Sequence, residues 1–176
     1  SPETVAKRIT DLVDRFAEQG LTLDEYIAVT LKQPSLFGQS PDTIEEHIRG
    51  VVDRFREHGL TTEAYLRAAI KQPSLFTQLP ATVEGNVTGV VDRFADQGIT
   101  VKMYLQAALK HPSLFSQSPA TIERNIMDLV GRFSGQEFTA RAYLQAALKH
   151  PVIYTHLPRG AARFLRAPAW HLRRPN

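Results

Sequence analysis

Proline recurs at a fixed interval along this chain. Pro2, Pro41, Pro80, Pro119 and Pro158 stand 39 residues apart, and Pro34, Pro73, Pro112 and Pro151 repeat at the same interval. Other segments keep that period. Leu12–Phe16 reads LVDRF, residues 51–55 and 90–94 both read VVDRF, and residues 129–133 read LVGRF. KQPSLF or KHPSLF closes the first three units, and KHPVIY closes the fourth. A fixed period of this size marks a tandem array, in which each unit buries its apolar face only against its neighbours. The units run 1–39, 40–78, 79–117 and 118–156, and residues 157–176 begin a fifth unit and then depart from it.

Within a unit the pattern is helical. Ser1 can cap free backbone N–H groups, and Pro2 suits the first helical position because its missing N–H had no partner there. Val5, Ile9, Leu12, Val13 and Phe16 then trace one helical face, as do Ile44, Ile48, Val51, Val52 and Phe55 in the next unit. Gly20, Gly59 and Gly98 supply a left-handed stop. The fourth unit has Glu137 at that place and Gly135 two residues earlier, so a different ending is expected there. Leu79 and Leu157 replace the opening serine and predict weaker caps. Thr22 with Glu25 forms a capping box for a second helix, and Thr61, Thr100 and Thr139 hold the same cap position. Tyr26, Ile27 and Leu31 supply that helix's apolar positions, matched by Tyr65, Leu66 and Ile70. Pro34 ends it, and Ser35-Leu36-Phe37 fits a short 3₁₀ turn. Remaining glycines such as Gly50 and Gly89 read as exposed. No strand-like alternation occurs. The expectation is an all-α fold: a right-handed α-solenoid of four 39-residue helix–helix–3₁₀ repeats with a degenerate C-terminal cap.

Composition narrows the function. The chain has no cysteine, which excludes disulfides, thiolate nucleophiles and cysteine metal sites and fits a reducing compartment. No basic-then-apolar stretch opens the chain and no apolar run is long enough to span a membrane, so an intracellular, non-membrane protein is expected. There is no Gly-rich phosphate loop, no GxSxG and no metal-ligand spacing among the histidines. Asp14, Asp53 and Asp92 recur on a helix flank, whereas an active site is singular. No enzyme, cofactor or metal is expected.

The net charge of +3 conceals a gradient. The first unit holds 4 basic and 6 acidic residues, the second 5 and 6, the third 3 and 3, the fourth 4 and 3, and the tail 5 and none. Two cationic positions nevertheless recur. One row is Arg15, Arg54, Arg93 and Arg132; the other is Lys32, Lys71, Lys110 and Lys149. Stacked in register, such rows form ladders able to meet a phosphate backbone. The same residues also suit the last turn of a helix, where a cation offsets the dipole. Arg163 and Arg166 in the tail extend the candidate nucleic-acid surface. Tyr26, Tyr65, Tyr104 and Tyr143 form a third row, suited to core packing or to base stacking. His111 and His150 occupy the slot of Gln33 and Gln72, which reads as a polar helix-end position. The sets Lys7, Arg8, Thr10, Asp11; Glu46, His47, Arg49, Gly50; Gly85, Asn86, Thr88, Gly89; and Arg124, Asn125, Met127, Asp128 vary between units and are expected on an outer face.

The order Gly20-Leu21-Thr22, Pro34-Ser35-Leu36-Phe37 and Ser40-Pro41-Asp42, repeated over about 1–157, resembles the repeat of the mitochondrial transcription termination factor family. That resemblance implies α-α-3₁₀ units in a curved superhelix whose concave side binds nucleic acid. The near-identity of the units is similar, more loosely, to the arrays of bacterial transcription-activator-like effectors. The expected function is therefore non-catalytic binding of DNA or RNA through the two cationic rows, the alternative being a scaffold that engages a protein partner.

Overall fold

A computed structural model describes residues 1–136 and 138–149. The fold is all-α. Eight helices are present among these residues: α1 Pro2–Arg15, α2 Leu23–Lys32, α3 Pro41–Phe55, α4 Thr62–Lys71, α5 Pro80–Arg93, α6 Val101–Lys110, α7 Pro119–Arg132 and α8 Ala140–Lys149. The longer helices are about four turns and the shorter ones about three. Short 3₁₀ turns follow the second helices at Pro34–Gly38, Pro73–Phe76 and Pro112–Phe115. Further single 3₁₀ turns end the first helices at Ala17–Gln19, Arg56–His58 and Ala95–Gln97, a detail the periodicity did not announce.

Local chemistry sets the boundaries. Ser1, Ser40 and Ser118 side chains accept from the backbone N–H of Thr4, Thr43 and Thr121, and Leu79 provides no such cap. Thr22 and Glu25 close a full capping box at α2. Thr61, Thr100 and Thr139 accept from the N–H three residues on. Gly20, Gly59 and Gly98 take φ of 81°, 86° and 78°, which a side chain rarely tolerates. In the fourth unit Gly135 takes that role at φ 100°, beside an isolated bridge between Ser134 and Gln136.

Helices pack like with like. The first helices form one row, with α1 against α3, α3 against α5 and α5 against α7. The second helices form another, with α2 against α4, α4 against α6 and α6 against α8. Between the rows lies a continuous core. Ile44, Ile48, Val51, Val52 and Phe55 are all buried, whereas their counterparts Val5, Ile9 and Val13 at the first unit are only partly so. The rings interlock across units: Tyr26 meets Phe76 edge-on at 5.6 Å, and Tyr65 meets Phe115 at 5.4 Å.

Two expectations change. Gly50 and Gly89 do not face open solvent. An added Cβ at either would come within 2.6 Å of the Cγ of Pro80 or Pro119, the opening proline of the next unit. Glycine there leaves room for that proline ring against the helix. In the first unit, Ile27 and Leu31 lie exposed, although Leu66 is buried and Ile70 partly buried at the same places in the second unit.

Candidate functional site

The arginine row occupies the last turn of α1, α3, α5 and α7. The guanidinium groups of Arg15, Arg54 and Arg93 reach forward to the next unit. Arg15 donates to Asp42 at 2.6 Å and Glu45 at 2.8 Å, and also to Asp11 in its own helix. Arg54 donates to Glu84 at 2.8 Å and to the Gly50 carbonyl at 3.0 Å. Arg93 repeats this with Glu123 at 2.8 Å and the Gly89 carbonyl at 2.9 Å. The missing Cβ of Gly50 and Gly89 admits the next unit's proline ring, and in the first unit Asp11 holds that place while Arg15 still reaches Glu45. Asp11 and then Asp42 and Glu45 hold the Arg15 guanidinium firmly in its charged form. Arg49, then Arg15, draw the Glu45 carboxyl below its ordinary range. The row is thus a sequence of ion pairs between units, positive and negative groups alternating. Arg132 is exposed and in no ion pair among the described residues.

The partner carboxylates are the residues sequence reasoning missed. Glu45, Glu84 and Glu123 share the 39-residue period of the arginines, so the signal was present but was read only for cations. Arg67 was also missed. It extends from α4 to Glu25 at 2.7 Å and to the Gly20 carbonyl of the first unit. That contact draws the Glu25 carboxyl below its ordinary value.

The lysine row differs. Lys32, Lys71, Lys110 and Lys149 each lie in the last turn of the second helices and are exposed. Lys32, Lys71 and Lys110 take part in none of the salt bridges among the described residues. Arg163 and Arg166 lie outside the described residues.

The tyrosine row is in the core. Tyr26, Tyr65, Tyr104 and Tyr143 are all buried. The Tyr104 hydroxyl donates to the Leu114 carbonyl at 3.0 Å. Burial raises the Tyr26, Tyr65 and Tyr143 phenols above their ordinary value. None of these rings has a face open for a base to stack on.

Gln72 and His111 do the same job: Gln72 donates to Ser74 Oγ at 3.2 Å, and His111 Nδ1 lies 3.3 Å from Ser113 Oγ. His150 lies outside the described residues. The variable positions split. Lys7, Glu46, Gly85, Arg124 and Met127 are exposed, as expected. Arg8 and Asn86 instead turn inward, donating to the carbonyls of Gly38 at 3.2 Å and Phe115 at 2.9 Å. They brace the 3₁₀ turn of their own unit.

Among the described residues no group of three or more His, Cys, Asp or Glu side chains is placed to hold a metal ion. A shallow crevice beside Arg8, Tyr26 and Phe37 has room for about one water-sized sphere. No helix of the described residues is long and apolar enough to cross a membrane. Comparison of the chain with family models, with curated proteins and with solved structures returns no match.

Proposed function

We propose that this chain is a non-catalytic binding protein, a right-handed α-solenoid of four 39-residue units that engages a protein partner. One observation carries the choice of partner. Arg15, Arg54 and Arg93 are engaged by carboxylates of the next unit, so a phosphate approaching the row meets a glutamate beside each guanidinium. Each exchange would leave that glutamate unpaired next to the incoming anion, which opposes binding. The first two units each carry more acidic than basic residues, which adds to the same preference. The exposed, unit-to-unit variation at Lys7, Glu46, Gly85 and Arg124 on a constant scaffold supports selective recognition of a partner chain.

The lysine row favours a second reading. Lys32, Lys71 and Lys110 are exposed and outside every ion pair among the described residues, and with the basic tail they offer charge to a nucleic acid. The likeness to mitochondrial transcription termination factor repeats supports the same reading. Fluorescence anisotropy with mixed DNA and RNA oligonucleotides across a salt series separates the two. The protein-partner reading expects no binding at physiological salt. Binding that weakens steeply with salt, and is lost in a Lys32→Glu, Lys71→Glu, Lys110→Glu variant, would transfer the function to nucleic acid.

A further inference from the structure

The lysine row has surroundings of one sign. Residues 28–40, 67–79 and 106–118, the ends of the second helices with their 3₁₀ turns, contain no aspartate or glutamate. Lys32, Lys71 and Lys110 are exposed there and enter no salt bridge among the described residues. Lys71 and Lys110 belong to units with a neighbour on both sides, so their exposure is a property of the array. The arginine row is the contrast, since Arg15, Arg54 and Arg93 each meet a glutamate of the next unit. The opposite edge, where the first helices end, carries exposed Asp14, Glu18, Asp53, Glu57, Asp92 and Asp96. An anionic chain is therefore repelled along one edge and attracted along the other.

The spacing of the row selects among anions. The second helices pack α2 on α4 and α4 on α6. They lie nearly level: Arg67 of α4 meets Glu25 of α2, and Gln33 after α2 meets Thr77 after α4 at 3.3 Å. Helices in contact stand about 8–10 Å apart, so the row offers one cation in each such interval. Nucleic acid is far denser in charge, at about 1.7 Å per phosphate along a duplex and 3.4 Å along one strand. A β-strand returns to the same face about every 6.7 Å, which is too short. A polyproline II segment turns once in three residues of about 3.1 Å each, close to 9 Å, and its backbone makes no internal hydrogen bonds. Every third side chain of such a segment falls opposite a lysine. Acceptors for its free backbone N–H groups stand beside the lysines. Gln33 and Gln72 donate through Nε2 to Thr77 and Ser74, and their side-chain carbonyls accept no hydrogen bond among the described residues.

We propose that the partner of this array presents an extended acidic segment, polyproline II in form with a carboxylate at every third residue, to Lys32, Lys71 and Lys110. The proposal deepens the protein-partner reading above and rests on it. A labelled peptide of four Glu-Pro-Pro triplets, titrated with the full chain in fluorescence anisotropy at low salt, is the probe. It should bind, and a peptide of equal composition with its four glutamates in one block should bind roughly tenfold more weakly or worse. Lys71→Glu together with Lys110→Glu should remove binding with the helical circular dichroism signal retained, because both side chains are exposed. Lys102→Glu, at the other end of α6, should leave binding in place. No binding at low salt, equal affinity for the block and triplet peptides, or binding untouched by the double variant would overturn the proposal. Tighter binding of mixed oligonucleotides, lost in the same double variant, would overturn it together with the protein-partner reading. If neither peptide nor oligonucleotide binds, this proposal alone falls and the protein-partner reading stands.

Discussion

Replacing Gly89 by alanine tests the contact between units, and Gly85, in the same helix α5, is its internal control. In a helix interior alanine is favoured over glycine by about 0.8–1.0 kcal/mol, so both substitutions begin with the same gain. At Gly85 an added Cβ meets no heavy atom within 4 Å, and the gain survives whole. At Gly89 the Cβ would come within 2.6 Å of Pro119 Cγ, 3.2 Å of Pro119 Cβ and 3.3 Å of Arg93 Nη1. The pyrrolidine ring has no rotamer in which to withdraw. Either α7 moves away from α5, which loosens the Arg93–Glu123 pair, or the contact stays overfilled. Overpacking of this kind costs about 1–3 kcal/mol. The net expectation is a gain near 1 kcal/mol for Gly85→Ala and, for Gly89→Ala, anything from no change to a loss of about 2 kcal/mol. For a chain of this length 1 kcal/mol moves the melting temperature by roughly 2–4 °C. Thermal melts followed by the helical circular dichroism signal, with urea titrations for free energies, read the difference. If Gly89→Ala stabilises as much as Gly85→Ala, the close contact between α5 and Pro119 is refuted.

Further outcomes follow from single contacts. Leu79→Ser should supply the cap that α5 lacks, raising stability by about 0.5–2 kcal/mol in the same melts, and a fall would show that the exposed leucine has a packing role. Tyr65→Phe should be neutral or stabilising, because its buried hydroxyl has no partner, whereas Tyr104→Phe should lose about 0.5–1.5 kcal/mol with its bond to Leu114; equal effects in urea titration would contradict that distinction. Glu25 and Glu45 are held below their ordinary 4.5, so their contribution is present above that pH and is lost as pH falls through the depressed values; melts below pH 4.5 should decline, and less so in Arg67→Ala, where Glu25 has lost its partner. Tyr26 and Tyr65 are raised from 10.0 by burial, so the fold is favoured below that pH and should weaken above it, with phenolate absorbance appearing together with unfolding rather than before it.

Much of the fold is legible in the linear chain, because its causes are local or periodic. Caps at Ser1, Ser40 and Thr22, glycine stops at Gly20, Gly59 and Gly98, and proline stops at Pro34 and Pro73 act on backbone a few residues away. The spacing of Ile44, Ile48, Val51 and Phe55 is set by the helical turn, so the buried face was readable too. The 39-residue period indicated that like positions recur. The candidate site was less legible. A cation in a last helical turn has the same one-dimensional signature whether it caps a dipole, meets a ligand or pairs with a neighbour. Only the distance between chains of equal register decides. The tertiary structure brought Glu84 and Glu123 to Arg54 and Arg93, pressed Pro80 and Pro119 against Gly50 and Gly89, and left Leu23, Ile27 and Leu31 uncovered. Period alone makes every unit equivalent. Stacking decides what each place does, because burial depends on which side chains a residue meets rather than on the period that it shares.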